Sequence, residues 1–399
     1  MKPQYLEVAD RICGRLCRDA LWSGSRCCWT ADRSGGTRGW HGALVPHLYS
    51  GTAGIALALW RVAEATGDSI CRATAKGAIA RSLGMLPVRQ NGYYAGCMGI
   101  RHAAAEILGE LDEAAILREA EPNREALDTI GGSAGAIAAL LDFARRAGRC
   151  SYLEMAARHG DLLIAEAIQE ADTWAWQTIA ENSPLTGFSH GTAGIGWALL
   201  ELWRATGEIR FREAAQGAFA YERASFHPGG GWPDLRGDAP VYQSVWCHGA
   251  GGIAYSRLRA WQILGDAEYL DEARIGLAIV RDGLGGLENF SLCHGSAGNG
   301  DLMIYATELL GEQEWIAAAE CVGQDGIERY ERPRALWPSG LLRAHETPDL
   351  MWGTAGIAYF YLRLAGVRAP TMLLPCAGLL GEHSEGGRLG DDRGIPGSV

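Results

Sequence analysis

Trp246-Cys247-His248-Gly249-Ala250-Gly251-Gly252-Ile253 and, 46 residues later, Leu292-Cys293-His294-Gly295-Ser296-Ala297-Gly298-Asn299 share one arrangement. Each sets a thiol and an imidazole immediately before a Gly-x-x-Gly step that opens an apolar run. Five further steps of the same kind occur, at Gly51-Thr52-Ala53-Gly54, Gly96-Cys97-Met98-Gly99, Gly132-Ser133-Ala134-Gly135, Gly191-Thr192-Ala193-Gly194 and Gly353-Thr354-Ala355-Gly356. Successive first glycines lie 45, 36, 59, 58, 46 and 58 residues apart, irregular intervals of the size that two helices and their loops need.

The run after each step, such as Ile55 to Glu64 or Ile195 to Arg204, is apolar on nearly all sides, as in a helix buried on most faces. Patterns between the steps, such as Arg210 to Arg223, are amphipathic and charged. The first kind belongs inside and the second outside. Seven such pairs either extend as a solenoid or close into a ring. Their small number, with no polar capping unit, predicts closure into an all-α, seven-fold (α/α) toroid. Strand signals are few; the loop 229–236 suits a hairpin, and nothing supports a central sheet. The expected organisation is an N-terminal helix (Leu6 to Leu21) and Gly/Trp-rich loop over 1–45, a single catalytic toroid over 46–380, and a flexible Gly/Arg/Asp-rich tail over 381–399.

A net charge of −11 with scattered Lys and Arg argues against a nucleic-acid partner. Residues 1–20 lack the features of a signal peptide, and no apolar run approaches the roughly 18 residues of a membrane span, so a cytoplasmic protein is expected. In that reducing setting the eleven cysteines are free thiols, ligands or catalytic groups rather than a disulfide framework. Cys71, Cys150 and Cys321 lie on helical patterns and read as small buried hydrophobes. Cys13, Cys17, Cys27 and Cys28 lack a C-x2-C spacing and have no histidine nearby before His41, which gives no basis for a second metal and leaves their role open.

In a closed ring every step faces the same end, so the residues just before the steps converge there: Ser50, Ala95, Gly131, His190, Cys247-His248, Cys293-His294 and Trp352. Cysteine and histidine appear only in units four to six. Two thiolates and up to three imidazoles on consecutive walls suit zinc, and three protein ligands would leave a fourth position for water or substrate. Spacing alone does not choose the ligands among Cys247, His248, Cys293, His294 and His190.

Gly187-Phe188-Ser189-His190-Gly191-Thr192-Ala193-Gly194, Trp246-Cys247-His248-Gly249 and Cys293-His294-Gly295 resemble the motifs of the lanthionine cyclases, the LanC family. Together with Trp232-Pro233-Asp234-Leu235-Arg236 they are most similar to the cyclase domain of class II and class IV lanthipeptide synthetases. The resemblance covers essentially the whole chain. It departs at Gly251, where the family commonly has proline, and at Asn299, where isoleucine is usual. There is no kinase-like Gly-rich loop with its lysine and no room for a dehydratase domain.

The resemblance implies zinc held by Cys247, Cys293 and His294, an acid/base His190, and an active-site Asp128, a residue that would otherwise read as an N-cap. It implies addition of a peptide cysteine thiol across dehydroalanine or dehydrobutyrine. The substrate would be a dehydrated precursor peptide, supplied by a separate dehydratase or a kinase and lyase pair. Arg236, Asp234, Trp246 and His248 are the expected substrate-binding residues, His248 being structural rather than a ligand, with Trp232, Trp246 and Trp352 along the rim. Alternatives are a zinc hydrolase, a LanC-like enzyme that adds glutathione to dehydrated residues, and a non-catalytic peptide-binding scaffold. A toroidal glycosidase would need two carboxylates about 5 to 9.5 Å apart, for which Glu346 and Asp349 come nearest.

Overall fold

The computed structural model describes residues 1–33, 40–180, 182–341 and 346–375. Fourteen α-helices occur among them. The first seven are α1 (Pro3–Arg18), α2 (Thr52–Thr66), α3 (Ser69–Leu83), α4 (Cys97–Leu108), α5 (Glu113–Glu119), α6 (Ser133–Ala147) and α7 (Cys150–Ala165). The rest are α8 (Thr192–Thr206), α9 (Ile209–Ala224), α10 (Ala250–Leu264), α11 (Ala267–Asp282), α12 (Ser296–Leu310), α13 (Gln313–Gly326) and α14 (Thr354–Leu364), with a π-turn, Ile327–Glu331, continuing α13.

The even-numbered helices each start one residue after the first glycine of a step. They are the apolar runs, buried almost throughout. They touch in sequence from α2 to α14, and α14 touches α2, which closes an inner ring of seven. Outside, α3, α5, α7, α9, α11 and α13 each pack on the inner helix before them in the chain. The seventh outer place is taken by α1, which buries Tyr5, Val8, Ile12 and Leu16 and packs on α14. Lys2 N donates to Ala365 O at 2.7 Å and the Tyr5 and Tyr361 rings lie 6.2 Å apart, so the first and last helices complete one pair.

The inner ring is laced by the residues two places before each first glycine: Tyr49, Tyr94, Ile130, Ser189, Cys247, Cys293 and Met351. Tyr49 N donates to Tyr94 O at 2.8 Å, Tyr94 N to Ile130 O at 3.0 Å, and Ser189 N to Cys247 O at 3.1 Å. Cys247 N donates to Cys293 O at 3.3 Å, Cys293 N to Met351 O at 3.0 Å, and Met351 N back to Tyr49 O at 2.9 Å. The remaining gap is bridged by Thr129 Oγ1, which donates to Ser189 O at 2.8 Å. For the chain to turn from this circuit into the helix, the second glycine of each step must pass against the carbonyl six residues back. A Cβ on Gly298 would overlap Leu292 O, and one on Gly356 would overlap Leu350 O.

The N-terminal helix starts and ends three residues earlier than its expected span, because Pro3 suits the first turn and Asp19 leaves the helix. The loop after it contains two antiparallel hairpins, Leu21–Ser23 with Arg26–Cys28 and Thr30–Arg33 with Trp40–Ala43. Strands of three and four residues are too short to show alternation in sequence. Two more hairpins join Ile168–Glu170 to Thr173–Ala175 and Pro233–Asp234 to Val241–Tyr242, the latter overlapping the loop expected to carry one. Cys71 is buried as expected. Cys150 and Cys321 are exposed, which corrects their reading as core residues; both lie on outer helices, whose solvent faces sequence spacing assigns poorly. No helix among the described residues is long and apolar enough to cross a membrane. The tail 381–399 lies outside the described residues.

Two stability predictions follow from this packing. Gly356→Ala forces a methyl group into a backbone carbonyl and should lower stability by more than about 3 kcal/mol. Gly14→Ala, at an exposed position inside α1 with open space around it, should raise stability by about 0.5 to 1 kcal/mol; urea titration of the two variants reads opposite signs. The second concerns His159, fully buried, whose Nε2–H donates to Ala120 O at 2.7 Å while Nδ1 takes a hydrogen bond at 3.0 Å from Ser133 Oγ. Burial pushes this imidazole down to about 4. Between the ordinary value near 6.5 and about 4, the unfolded chain binds a proton that the folded chain refuses, so stability falls as pH falls through that window. The contribution reaches about 2 to 3 kcal/mol by pH 4.5. His159→Gln should flatten the acid limb when urea midpoints are compared at pH 7 and 4.5.

Candidate metal centre and acid/base pair

Cys247 and Cys293 stand on adjacent walls at positions whose peptide groups belong to the hydrogen-bonded circuit, which fixes where their side chains start. His294 follows on the same turn, and its Nε2 donates to Gly340 O at 2.8 Å, which leaves the lone pair on Nδ1. The two sulfurs and a ring nitrogen of His294 lie within 4.8 Å of one another. Hydrogen bonds with Cys293 and, against burial, with His294 hold Cys247 well below the ordinary thiol value. Burial and the neighbouring Cys247 thiolate push Cys293 up. His294 is raised despite its burial, through the Cys247 thiolate and the Gly340 carbonyl.

Two thiols and an imidazole thus meet in a closed space. They offer a dication three soft N and S donors, so the residues present fit zinc in number and chemistry. His102, Glu106 and Asp142 also converge within 4.8 Å, but Arg61 and Arg146 pair with these carboxylates, so the group is an ion-pair network.

His190 precedes the fourth step. Its Nδ1 lies 2.5 Å from Asp128 Oδ2, while Asp128 Oδ1 accepts the Gly131 N–H at 2.8 Å. Asp128 therefore serves both as a backbone cap and as the partner of His190, two roles that sequence treated as alternatives. The His190 loop is held by Glu222 of α9, which accepts from Gly187 N at 3.0 Å and Ala193 N at 2.8 Å, and by Thr178 Oγ1 on His190 O. The His190 side chain remains about 30% exposed.

His248 lies outside the metal-donor group. It is buried with its ring 6.0 Å from that of His190, Nε2 3.4 Å from Ser189 Oγ and Nδ1 4.0 Å from Asp234 Oδ1. Burial pushes it down to about 4, so it is neutral. Asp234 holds the Arg236 guanidinium through Nε at 2.9 Å and Nη2 at 2.6 Å, and accepts Gln243 Nε2 at 3.1 Å. Burial opposes its charge, but Arg236 keeps it below the usual carboxylate range. Arg236 is about half exposed and lies within electrostatic reach of Cys247 and Cys293.

Trp246 is not at the rim. It is 1% exposed, donates Nε1–H to Leu373 O at 2.8 Å, and packs between Tyr94 and Phe188, because one position before Cys247 the chain faces the ring's interior. Trp232 is likewise buried, against Phe226. Trp352 alone of the three is partly exposed, edge-on to Tyr49 at 5.2 Å and beside His294 across Gly340. Glu346 accepts Trp337 N at 2.9 Å, and Asp349, pushed up to about 6 by burial, caps Trp352 N at 2.8 Å. Both carboxylates therefore serve the backbone.

Tyr49 was missed in sequence. It occupies the same offset before its step as Cys247 and Cys293 do before theirs, and that shared offset was the available signal.

A family model described as lanthionine synthetase C-like protein matches residues 43–374. The chain is 28% identical over 210 residues to glutathione S-transferase LANCL1 of Danio rerio, covering 49% of this chain and 50% of that protein. It is 29% identical over 126 residues to the lacticin 481/lactococcin biosynthesis protein LcnDR2 of Lactococcus lactis subsp. lactis, 29% of this chain and 13% of that protein. It thus spans half or less of these curated relatives. Among solved structures, nisin cyclase superposes with a TM-score of 0.59 at 17% identity, over 80% of this chain and 88% of that one. The GH76 α-mannanase BT2949 of Bacteroides thetaiotaomicron does so with a TM-score of 0.52 at 13% identity, over 90% and 95%. Such distant likenesses show the helical toroid and no more. The family model, which runs through all seven glycine steps and the three candidate metal donors, decides between them: the chain belongs to the lanthionine synthetase C-like family.

Proposed function

We propose that the chain is a zinc-dependent cyclase that forms (methyl)lanthionine by adding a cysteine thiol of a dehydrated precursor peptide across dehydroalanine or dehydrobutyrine. The observation that carries this reading is the meeting of two thiols and an imidazole with an Asp-His pair on adjacent walls at one end of the toroid. Cys247, Cys293 and His294 would hold the zinc, which when bound makes an incoming thiol a thiolate at neutral pH. Two thiolate ligands weaken its power to activate water, which favours this chemistry over hydrolysis.

The chain's own residues handle the proton and the charge. Asp128 keeps the hydrogen of His190 on Nδ1, so Nε2 is the free base. His190 Nε2 takes the thiol proton, and the imidazolium so formed is stabilised by the Asp128 carboxylate. Sulfur bonds to Cβ, the double bond shifts to an enolate, and His190 returns the proton to Cα. The sum is addition of S–H across C=C. The Arg236 guanidinium, anchored by Asp234, supplies positive charge where the enolate oxygen gathers negative charge. The neutral His248 supports the wall between them. A dehydratase, or a kinase and lyase pair, must supply the dehydroamino acids, in the cytoplasm.

The likeness to glutathione S-transferase LANCL1 favours a second reading, in which the same site takes the thiol from glutathione instead of from the peptide. Mass spectrometry of a dehydrated peptide incubated with glutathione separates the two, since ring closure leaves the peptide mass unchanged and protects its cysteine from alkylation, whereas transfer adds the mass of glutathione.

Elemental analysis should find one zinc per chain, lost from Cys247→Ala and Cys293→Ala while circular dichroism keeps the helical signal. Zinc retained in both variants, or absent from the native chain, would sink the ligand assignment and leave the peptide-binding scaffold in front. His190→Ala should keep its zinc and lose about 10²- to 10⁴-fold in ring-forming rate. Asp128→Asn should fall in the same direction because it no longer fixes the tautomer.

A further inference from the structure

The Tyr49 hydroxyl donates to Cys293 Sγ at 2.7 Å, across 244 residues of chain. Its backbone is fixed by the circuit, since Tyr49 N donates to Tyr94 O and Tyr49 O accepts from Met351 N. Its ring is held edge-on by Trp352 at 5.2 Å and Tyr94 at 6.3 Å. The hydroxyl therefore has little freedom to point elsewhere. The two sulfurs are unequal in this respect: Cys293 takes a phenolic hydrogen bond, while the hydrogen-bonding neighbours of Cys247 are Cys293 and His294.

We propose that Tyr49 is a positioning residue for the metal centre, aiming the Cys293 sulfur and drawing electron density from it so that the site accepts a further, incoming thiolate. The inference rests on the metal reading above. A centre with two thiolate ligands becomes net negative when a third thiolate joins it. A hydrogen bond to a charged acceptor is roughly twice as strong as a neutral one and draws charge out of the acceptor. Placed on one ligand sulfur, it offsets the repulsion that would otherwise oppose the substrate. It also makes the ligand sulfur less nucleophilic than the substrate sulfur, so the ligand itself is not alkylated by the electrophilic dehydroamino acid.

The test compares wild type, Tyr49→Phe and Tyr94→Phe after replacement of the metal by Co²⁺. Tyr94 is the control because its hydroxyl donates to the Met372 carbonyl. Metal stoichiometry is measured first, and its absence from wild type defeats the metal reading itself and this inference with it. With one metal bound, Tyr49→Phe should move the thiolate-to-cobalt charge-transfer band to longer wavelength. It should also raise the rate of Cys293 alkylation by iodoacetamide in the zinc form on the order of tenfold. Tyr94→Phe should change neither. Loss of metal from folded Tyr49→Phe alone also supports the positioning role. One metal in all three proteins with identical bands and alkylation rates overturns it. Should Tyr49→Phe not fold, wild-type protein carrying 3-fluorotyrosine, a stronger donor, should shift the band to shorter wavelength, and an unchanged band is again a refutation.

Discussion

Seven backbone positions, each two residues before a Gly-x-x-Gly step, form a circle at one end of the toroid, six junctions bonded directly and the seventh through the Thr129 hydroxyl. The circuit dictates much else. A chain that pairs with its neighbour and then turns at once into a helix must run its second glycine across its own carbonyl, which excludes any side chain there. Those helices, facing neighbours on all sides, must be apolar, and outer helices must cover them. Hydrogen bonds of about 3 Å between units far apart in sequence, buried away from water, hold seven helix pairs to one geometry.

The chemistry comes from varying the side chains on a repetitive backbone. The same circuit position carries Tyr, Tyr, Ile, Ser, Cys, Cys and Met around the ring, and the position after it carries histidine in units four, five and six. Rigidity is supplied once, by the ring, and reactivity is confined to adjacent sectors. The aspartates four residues before steps three and seven show the economy of this scheme. Asp128 and Asp349 cap the same backbone amide in their respective units, yet only Asp128 has a histidine on the next wall to hold.

The glycine steps, the inner and outer helices and the convergence of Cys247, Cys293 and His294 were legible in sequence because each leaves a periodic or repeated mark. Of the four hairpins only the one at Pro233–Asp234 was marked, by its Gly-rich loop; the other three were not, since three or four residues per strand carry no period. Trp246 was misplaced because its neighbour Cys247 belongs to the site, and adjacent residues on extended backbone face opposite ways. Cys150 and Cys321 were misread because a thiol on an amphipathic helix gives no clue to its face. Tyr49 was passed over because tyrosine is not a metal ligand of the soft kind sought, although its offset matched. That α1 is the seventh outer helix was hidden by its distance from α14, which pattern reading along the chain does not cross.

That last pairing bears on how the molecule comes to be. In a solenoid, each unit settles on the one before it as the polypeptide emerges. Here the segment ending at Arg18 is synthesised long before its partner, which begins at Thr354. Until then the apolar stripe of α1 and the open flank of α2 have no permanent cover. Shutting the circle is a long-range, late event in which the loop-closure cost is met in one step, so the half-built ring is a transient, association-prone species and the finished one is locked cooperatively.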